Sequence, residues 1–249
     1  IGREGLGATA LLAGVAVLPL LPVVALLGRG ATLVAALSLA GALAFGVLAC
    51  VRPAFDAATP RPLNLLLAGE AGQPSRILAS PSAAAPVEFL DAHGFDTVME
   101  PVLPFSRRRY HPGATGPALP APGAEILDDV VAGDTRQLRL RLLPAHPGDE
   151  LTLHLPGSVA KASVRVNGQP LAQSRWPWGH AVGSIATPAS GVVVAFELPA
   201  GDPVEAYLVG ERRGLPGHFD AMVHARDDVA TQIHGGDRSV GWRRLVLSP

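Results

Sequence analysis

One cysteine, Cys50, one lysine, Lys161, and an aromatic content of only 5 % set the first limits on this 249-residue chain. A single cysteine excludes an internal disulfide framework and any cysteine-rich zinc site. Charged residues make up 16 %, well below the ~25 % of ordinary soluble domains. They are also unevenly spread. Residues 1–52 hold only Arg3, Glu4, Arg29 and Arg52, while the rest carries 17 basic and 20 acidic groups. That balance gives no electrostatic footprint for nucleic acid, so no nucleic-acid partner is expected. The chain is too apolar for a disordered one. No Met precedes Met99 and the first residue is Ile1, which suggests a piece of a longer protein. Arginine used almost to the exclusion of lysine, with abundant Ala, Gly and Pro, suggests a bacterial source.

What the sequence has instead is long apolar runs. Residues 5–27 and 31–51 are free of charge, and only Gly28, Arg29 and Gly30 part them. At 1.5 Å rise per residue each run has the length of the ~30 Å hydrocarbon core. The expectation is a transmembrane helical hairpin over 5–51, with the lipid bilayer as its partner. Small residues such as Gly14, Gly41 and Gly46 suit packing against further helices. No ionisable residue lies inside either run, so a proton or ion path is not expected there. Arginine counts on the two sides of the hairpin barely differ, and taken literally they favour a cytoplasmic tail.

After the hairpin, residues 52–103 read as a connecting segment with a first strand near Leu63–Leu67. Residues 104–124 hold five prolines and the run Arg107-Arg108-Arg109, which reads as an extended linker. From 125 to 249 the hydrophobic period is two. Leu138, Leu140 and Leu142 alternate with Arg139 and Arg141, and Leu151, Leu153 and Leu155 alternate with Thr152 and His154. Val192, Val194, Phe196 and Leu198 repeat the pattern, and Asn167-Gly168 is a hairpin-turn pair. Short strands between Gly/Pro turns predict an antiparallel β-sandwich. The fold class expected is therefore a two-helix transmembrane hairpin followed by a mainly-β domain.

Chemistry-bearing motifs are few, and no catalytic residue stands out. His218-Phe219-Asp220 has the H-x-D spacing that can begin a zinc site, but no glutamate follows Asp220 in the sequence to act as base or ligand. His218 and Asp220 are thus candidate metal ligands without an evident partner set. No G-x-S-x-G elbow is present, and Cys50 ends an apolar run where a thiolate is disfavoured. Trp176-Pro177-Trp178 is the candidate binding element, a stacking platform for peptide or glycan.

Several short segments together resemble one family. These are Arg61-Pro62-Leu63-Asn64-Leu65-Leu66, Ala124 to Asp129, Val164-Arg165-Val166-Asn167-Gly168, Val209 to Pro216 and Gly236-Asp237-Arg238-Ser239-Val240. With two apolar spans ahead of them they resemble the C-terminal part of membrane-bound zinc aminopeptidases of the vacuolar membrane protease and endoplasmic reticulum metallopeptidase type. The resemblance implies that zinc and its His, Asp and Glu ligands belong to an upstream catalytic domain, with no cofactor in this chain. It also implies upstream membrane helices and that catalytic domain as partners, and a bacterial inner membrane location with the β-domain facing the periplasm. The function expected is a non-catalytic anchor and β-domain of a zinc exopeptidase. The alternative is an independent binding module that uses the Trp176/Trp178 loop.

Overall fold

The computed structural model describes residues 38–44, 46, 60–80, 86–156, 159, 163–170, 180–184, 186–201, 203–232 and 235–248. The chain divides into two compact units, Ile1–Arg61 and Pro62–Pro249. In the first unit residues 38–44 are helical, with Leu39 and Leu43 exposed. Most of the hairpin expected over 5–51 lies outside the described residues. Among the described residues no helix is long and apolar enough to cross a membrane. That finding overturns the expected hairpin and the multi-pass inner-membrane, periplasm-facing placement built on it. Hydropathy reports only where side chains prefer to be, whereas a span also needs about 20 continuous helical residues.

The second unit is mainly β. One sheet has eight strands, in the order β11 (His180–Ser184), β8 (Glu150–Leu155), β13 (Val204–Arg213), β15 (Arg238–Leu247), β2 (Leu65–Glu70), β3 (Pro74–Ala79), β5 (Arg109–Ala118) and β4 (Glu100–Pro101). The other has five, in the order β10 (Gln169–Pro170), β9 (Arg165–Val166), β12 (Val192–Pro199), β7 (Thr135–Leu143) and β6 (Gly123–Ala132). Two further two-residue strands, β1 (Arg61–Pro62) and β14 (Ala230–Thr231), stand outside these sheets, as do the helices α1 (Val87–Ala92) and α2 (Asp220–Asp227).

Alternation in the sequence becomes the sandwich core directly. Leu138, Leu140 and Leu142 of β7 point inward with Val192, Val194, Phe196 and Leu198 of β12. They meet Leu151, Leu153 and Leu155 of β8 and Ala206 and Leu208 of β13 in one buried cluster. At the β2–β3 part of the larger sheet a second cluster forms from Leu63, Leu65, Leu67, Ile77 and Ala79. Phe89 and Leu90 of α1 cover it, together with Met222 and Val223 of α2. A third cluster joins Ala68, Leu78, Val209, Val240 and Trp242 with Leu103. Neighbouring residues on a strand face opposite sides, so Leu67 and Ala68 serve different clusters and the centre of the larger sheet is buried on both faces. The Asn167-Gly168 turn joins β9 to β10 with both φ angles positive, 49° and 80°, as the tight hairpin turn requires.

Two expectations about the β unit are corrected. The larger sheet is mixed: β15 runs parallel to β2, pairing Arg238 with Leu66 through Trp242 with Glu70. The Pro-rich stretch 104–124 is no linker, because β5 fills its middle and both belong to the compact unit that begins at Pro62. Prolines fit there for a geometric reason. The outer neighbour β4 reaches only Arg109 and Tyr110, so most of β5 behaves as an edge, where a missing N–H costs no ladder bond. Register shifts between β3 and β5 absorb the remainder.

Candidate functional site

Both residues of the H-x-D motif are described. His218 sits in the short 3-10 turn Gly217–Phe219, its ring 4.3 Å from that of Phe219. Asp220 opens α2, and its backbone carbonyl accepts a hydrogen bond from His224 Nδ1 at 2.6 Å. Among the described residues no group of three or more His, Cys, Asp or Glu side chains is placed to hold a metal ion. Trp176 and Trp178 lie outside the described residues.

The ionisable residues that the fold does bring together act on the backbone. Arg226, on α2, is fully buried and grips Asp237 with two guanidinium nitrogens, Nη1 to Oδ1 and Nη2 to Oδ2 at 2.9 Å each. Nη1 also donates to the Leu63 carbonyl at 2.8 Å, and Asp237 Oδ1 accepts from the Leu65 N–H at 2.8 Å. The pair therefore ties α2, the entry to β2 and the start of β15 into one knot. Arg136 of β7 does similar work in the smaller sheet, holding Asp129 through two bonds of 2.6 and 2.5 Å and reaching the Leu247 carbonyl at 3.2 Å. The bond from Arg136 holds the Asp129 carboxyl below its ordinary pKa. Asp149 accepts from Arg212 Nε at 2.9 Å and from the His146 backbone N–H at 3.0 Å, closing the turn before β8.

The arrangement with a different character lies on the third cluster's face of the larger sheet. His154, Tyr207 and Trp242 come from the adjacent strands β8, β13 and β15. His154 pairs in register with Tyr207, and Val209, two residues on, pairs with Trp242. Phe105 reaches across them from the segment between β4 and β5. Its ring stacks on His154 at 4.9 Å, lies 6.1 Å from Tyr207 and meets Trp242 edge-on at 5.9 Å. The neighbouring Leu103 is buried, and its carbonyl accepts from the Ser106 N–H at 3.0 Å, which anchors Phe105. At the rim Glu205 accepts from the Tyr207 hydroxyl and from Arg244. The Tyr207 bond and then the Arg244 bond hold the Glu205 carboxyl below its ordinary pKa, and the bond to Glu205 pushes the Tyr207 phenol up.

This aromatic ledge offers half-buried π faces beside a fixed carboxylate–guanidinium pair. Such a surface stacks flat apolar groups and hydrogen-bonds what is attached to them. Its residues are scattered at 105, 154, 207 and 242, so only one sequence signal points to it: the strand alternation that turns His154 away from Leu153 and Leu155.

Burial depresses the pKa of His154, with Glu211 opposing the shift. A histidine with a depressed folded pKa binds its proton more readily when the chain unfolds. It therefore costs stability as pH falls below its ordinary ~6.5 toward the lower folded value. The depressed pKa of Asp129 and Glu205 acts at lower pH, from the ordinary carboxylate range downward. His154→Gln is thus expected to flatten the stability–pH curve just below pH ~6.5 and leave the acid limb unchanged. Urea unfolding at half-unit pH steps checks it; an unchanged slope in that window would show that His154 takes up no proton on unfolding.

No protein-family model matches the chain, and no curated protein matches it.

Proposed function

We propose that residues 62–249 form a non-catalytic β-module of a zinc-dependent exopeptidase, with zinc and the hydrolytic groups held in a catalytic domain elsewhere in the parent protein. One observation carries this reading. The segments that resemble the membrane-bound zinc aminopeptidases fall on the scaffold. Leu65 and Leu66 open β2, Ala124 to Asp129 lie in β6, Val164 to Gly168 make the β9 turn, and Asp237 to Val240 lead into β15 around the Arg226 knot. A family likeness concentrated at strand pairings and ion-pair knots is a likeness of a framework.

A second reading is favoured by the aromatic ledge: a binding module for peptide. Phe105 and Tyr207 present stackable faces, and Glu205 with Arg244 supplies an acceptor and donors for a backbone amide. The two readings are compatible, since an exopeptidase substrate is itself a peptide. Glycan binding is the competing outcome.

The full chain should hydrolyse no aminoacyl substrate, with or without added zinc. Zinc-dependent hydrolysis abolished by His218→Ala would overturn the non-catalytic assignment. The coding sequence upstream of Ile1 tests the parentage: an in-frame domain with H-x-D and Glu-Glu motifs supports it, and a start codon immediately before Ile1 contradicts it.

A further inference from the structure

Sheet edges invite association unless they are short, charged or broken by proline. Among the described strands, three of the four edges of the two large sheets are blunt. β10 and β4 have two residues each, one of them a proline, and β11 has five. The part of β5 that β4 leaves uncovered is interrupted by Pro112 and Pro117, and the Asp96 N–H donates to its Pro112 carbonyl at 2.7 Å. β6 is the exception, with ten residues, no proline and no described strand along its outer side. Ile126, Val130 and Val131 on it are 59, 53 and 59 % exposed. The acids that should guard such an edge are already used. Arg141 holds Glu125 at 3.1 Å, Arg139 holds Asp128 at 2.8 Å and Arg136 holds Asp129 at 2.5 Å, all three arginines from β7.

We infer that β6 pairs antiparallel with β6 of a second copy of this chain, so that two five-stranded sheets become one across a two-fold axis. Two features select a second copy. Like strands normally repel through like charges placed opposite each other, but each β6 acid is neutralised by its own β7 arginine, so the strand brings no net charge to its twin. A two-fold axis at Val130 also sets Val130 against its twin and each Val131 opposite an Asp129 already held by Arg136. Such a contact is isologous, each patch serving as its own partner, and it closes at two copies. An axis there pairs residues 128–132 of one strand with the same stretch of the other, satisfying the outer backbone groups of that stretch and partly covering Val130 and Val131. A sheet of ten strands remains within the usual size.

Light scattering and sedimentation of the purified full chain across a concentration series test this, with amide hydrogen exchange read on β6. A monomer–dimer equilibrium is expected, with β6 amides protected in the dimer and faster to exchange on dilution. Val130→Lys should raise the dimer dissociation constant ~10-fold or more by setting like charges at the axis. Val98→Lys, at a site 74 % exposed and outside β6, should leave it unchanged. A monomer at every concentration would overturn the proposal. So would a dimer that Val130→Lys does not weaken, or one whose β6 amides exchange as fast as the monomer's. The exchange readout needs no substitution, so a folding failure of Val130→Lys does not spoil the test.

Discussion

Asp237→Ala is expected to destabilise the protein by about 3–5 kcal/mol, the cost of leaving a buried charge without its partner. The Arg226 side chain is 0 % exposed and that of Asp237 is 4 % exposed, so water cannot replace the lost carboxylate. Asp227, which takes Arg226 Nε at 2.7 Å, is 55 % exposed and compensates only in part. The substitution also strips the Leu65 N–H and Gln232 Nε2 of their acceptor, and an unmet buried donor adds its own penalty. Removing both charges together is a different experiment. Arg226→Met combined with Asp237→Leu should cost less than Asp237→Ala alone, because no uncompensated ion remains. Denaturant unfolding of Asp237→Ala, the double variant and its two single parents, Arg226→Met and Asp237→Leu, measures this. A double variant as unstable as the sum of its parts would mean that the knot acts through shape and not charge.

Leu140→Ala should cost ~2–5 kcal/mol, and its neighbour Arg139→Ala no more than about 0.5 kcal/mol. Leu140 is fully buried between Leu138 and Leu142 and pairs across to Val194, so truncation leaves a cavity that rigid strands on both sides resist closing. Arg139 points the other way, half exposed, and meets Asp128 at 2.8 Å in an ion pair of the kind that contributes little at a surface. The contrast between adjacent residues is the test, again by denaturant unfolding. Equal losses would mean that β7 does not sort its side chains by face.

Part of this architecture is legible in the sequence. Side chains on a strand alternate with period two whatever the strand pairs with, so the leucines of β7 and β8 and the apolar residues of β12 declare their inward face locally. Asn167-Gly168 declares its turn because few other pairs tolerate two successive positive φ angles. The helices α1 and α2 are harder to read. Six and eight residues long, they span too few turns for a helical period to rise above chance, and packing on β2 and β3 holds them in place. The prolines of β5 suggest a linker because their lost N–H groups matter only in relation to a neighbouring strand. Sequence does not say that this neighbour, β4, is two residues long.

The apolar run of residues 5–51 shows the limit from the other side, since its hydropathy predicts a spanning element and no described helix has the length or character of one. By itself the sequence determined strand periodicity, one tight turn, a mainly-β second unit and the absence of a cysteine framework. These follow from forces between residues a few positions apart. Only the tertiary structure decided the parallel pairing of β15 with β2, the Arg226–Asp237 knot across 11 residues that also reaches Leu63 across 163, and the meeting of Phe105 with His154, Tyr207 and Trp242. Each of these depends on which distant strands become neighbours. That choice is made by the whole core closing at once, and no local pattern encodes it.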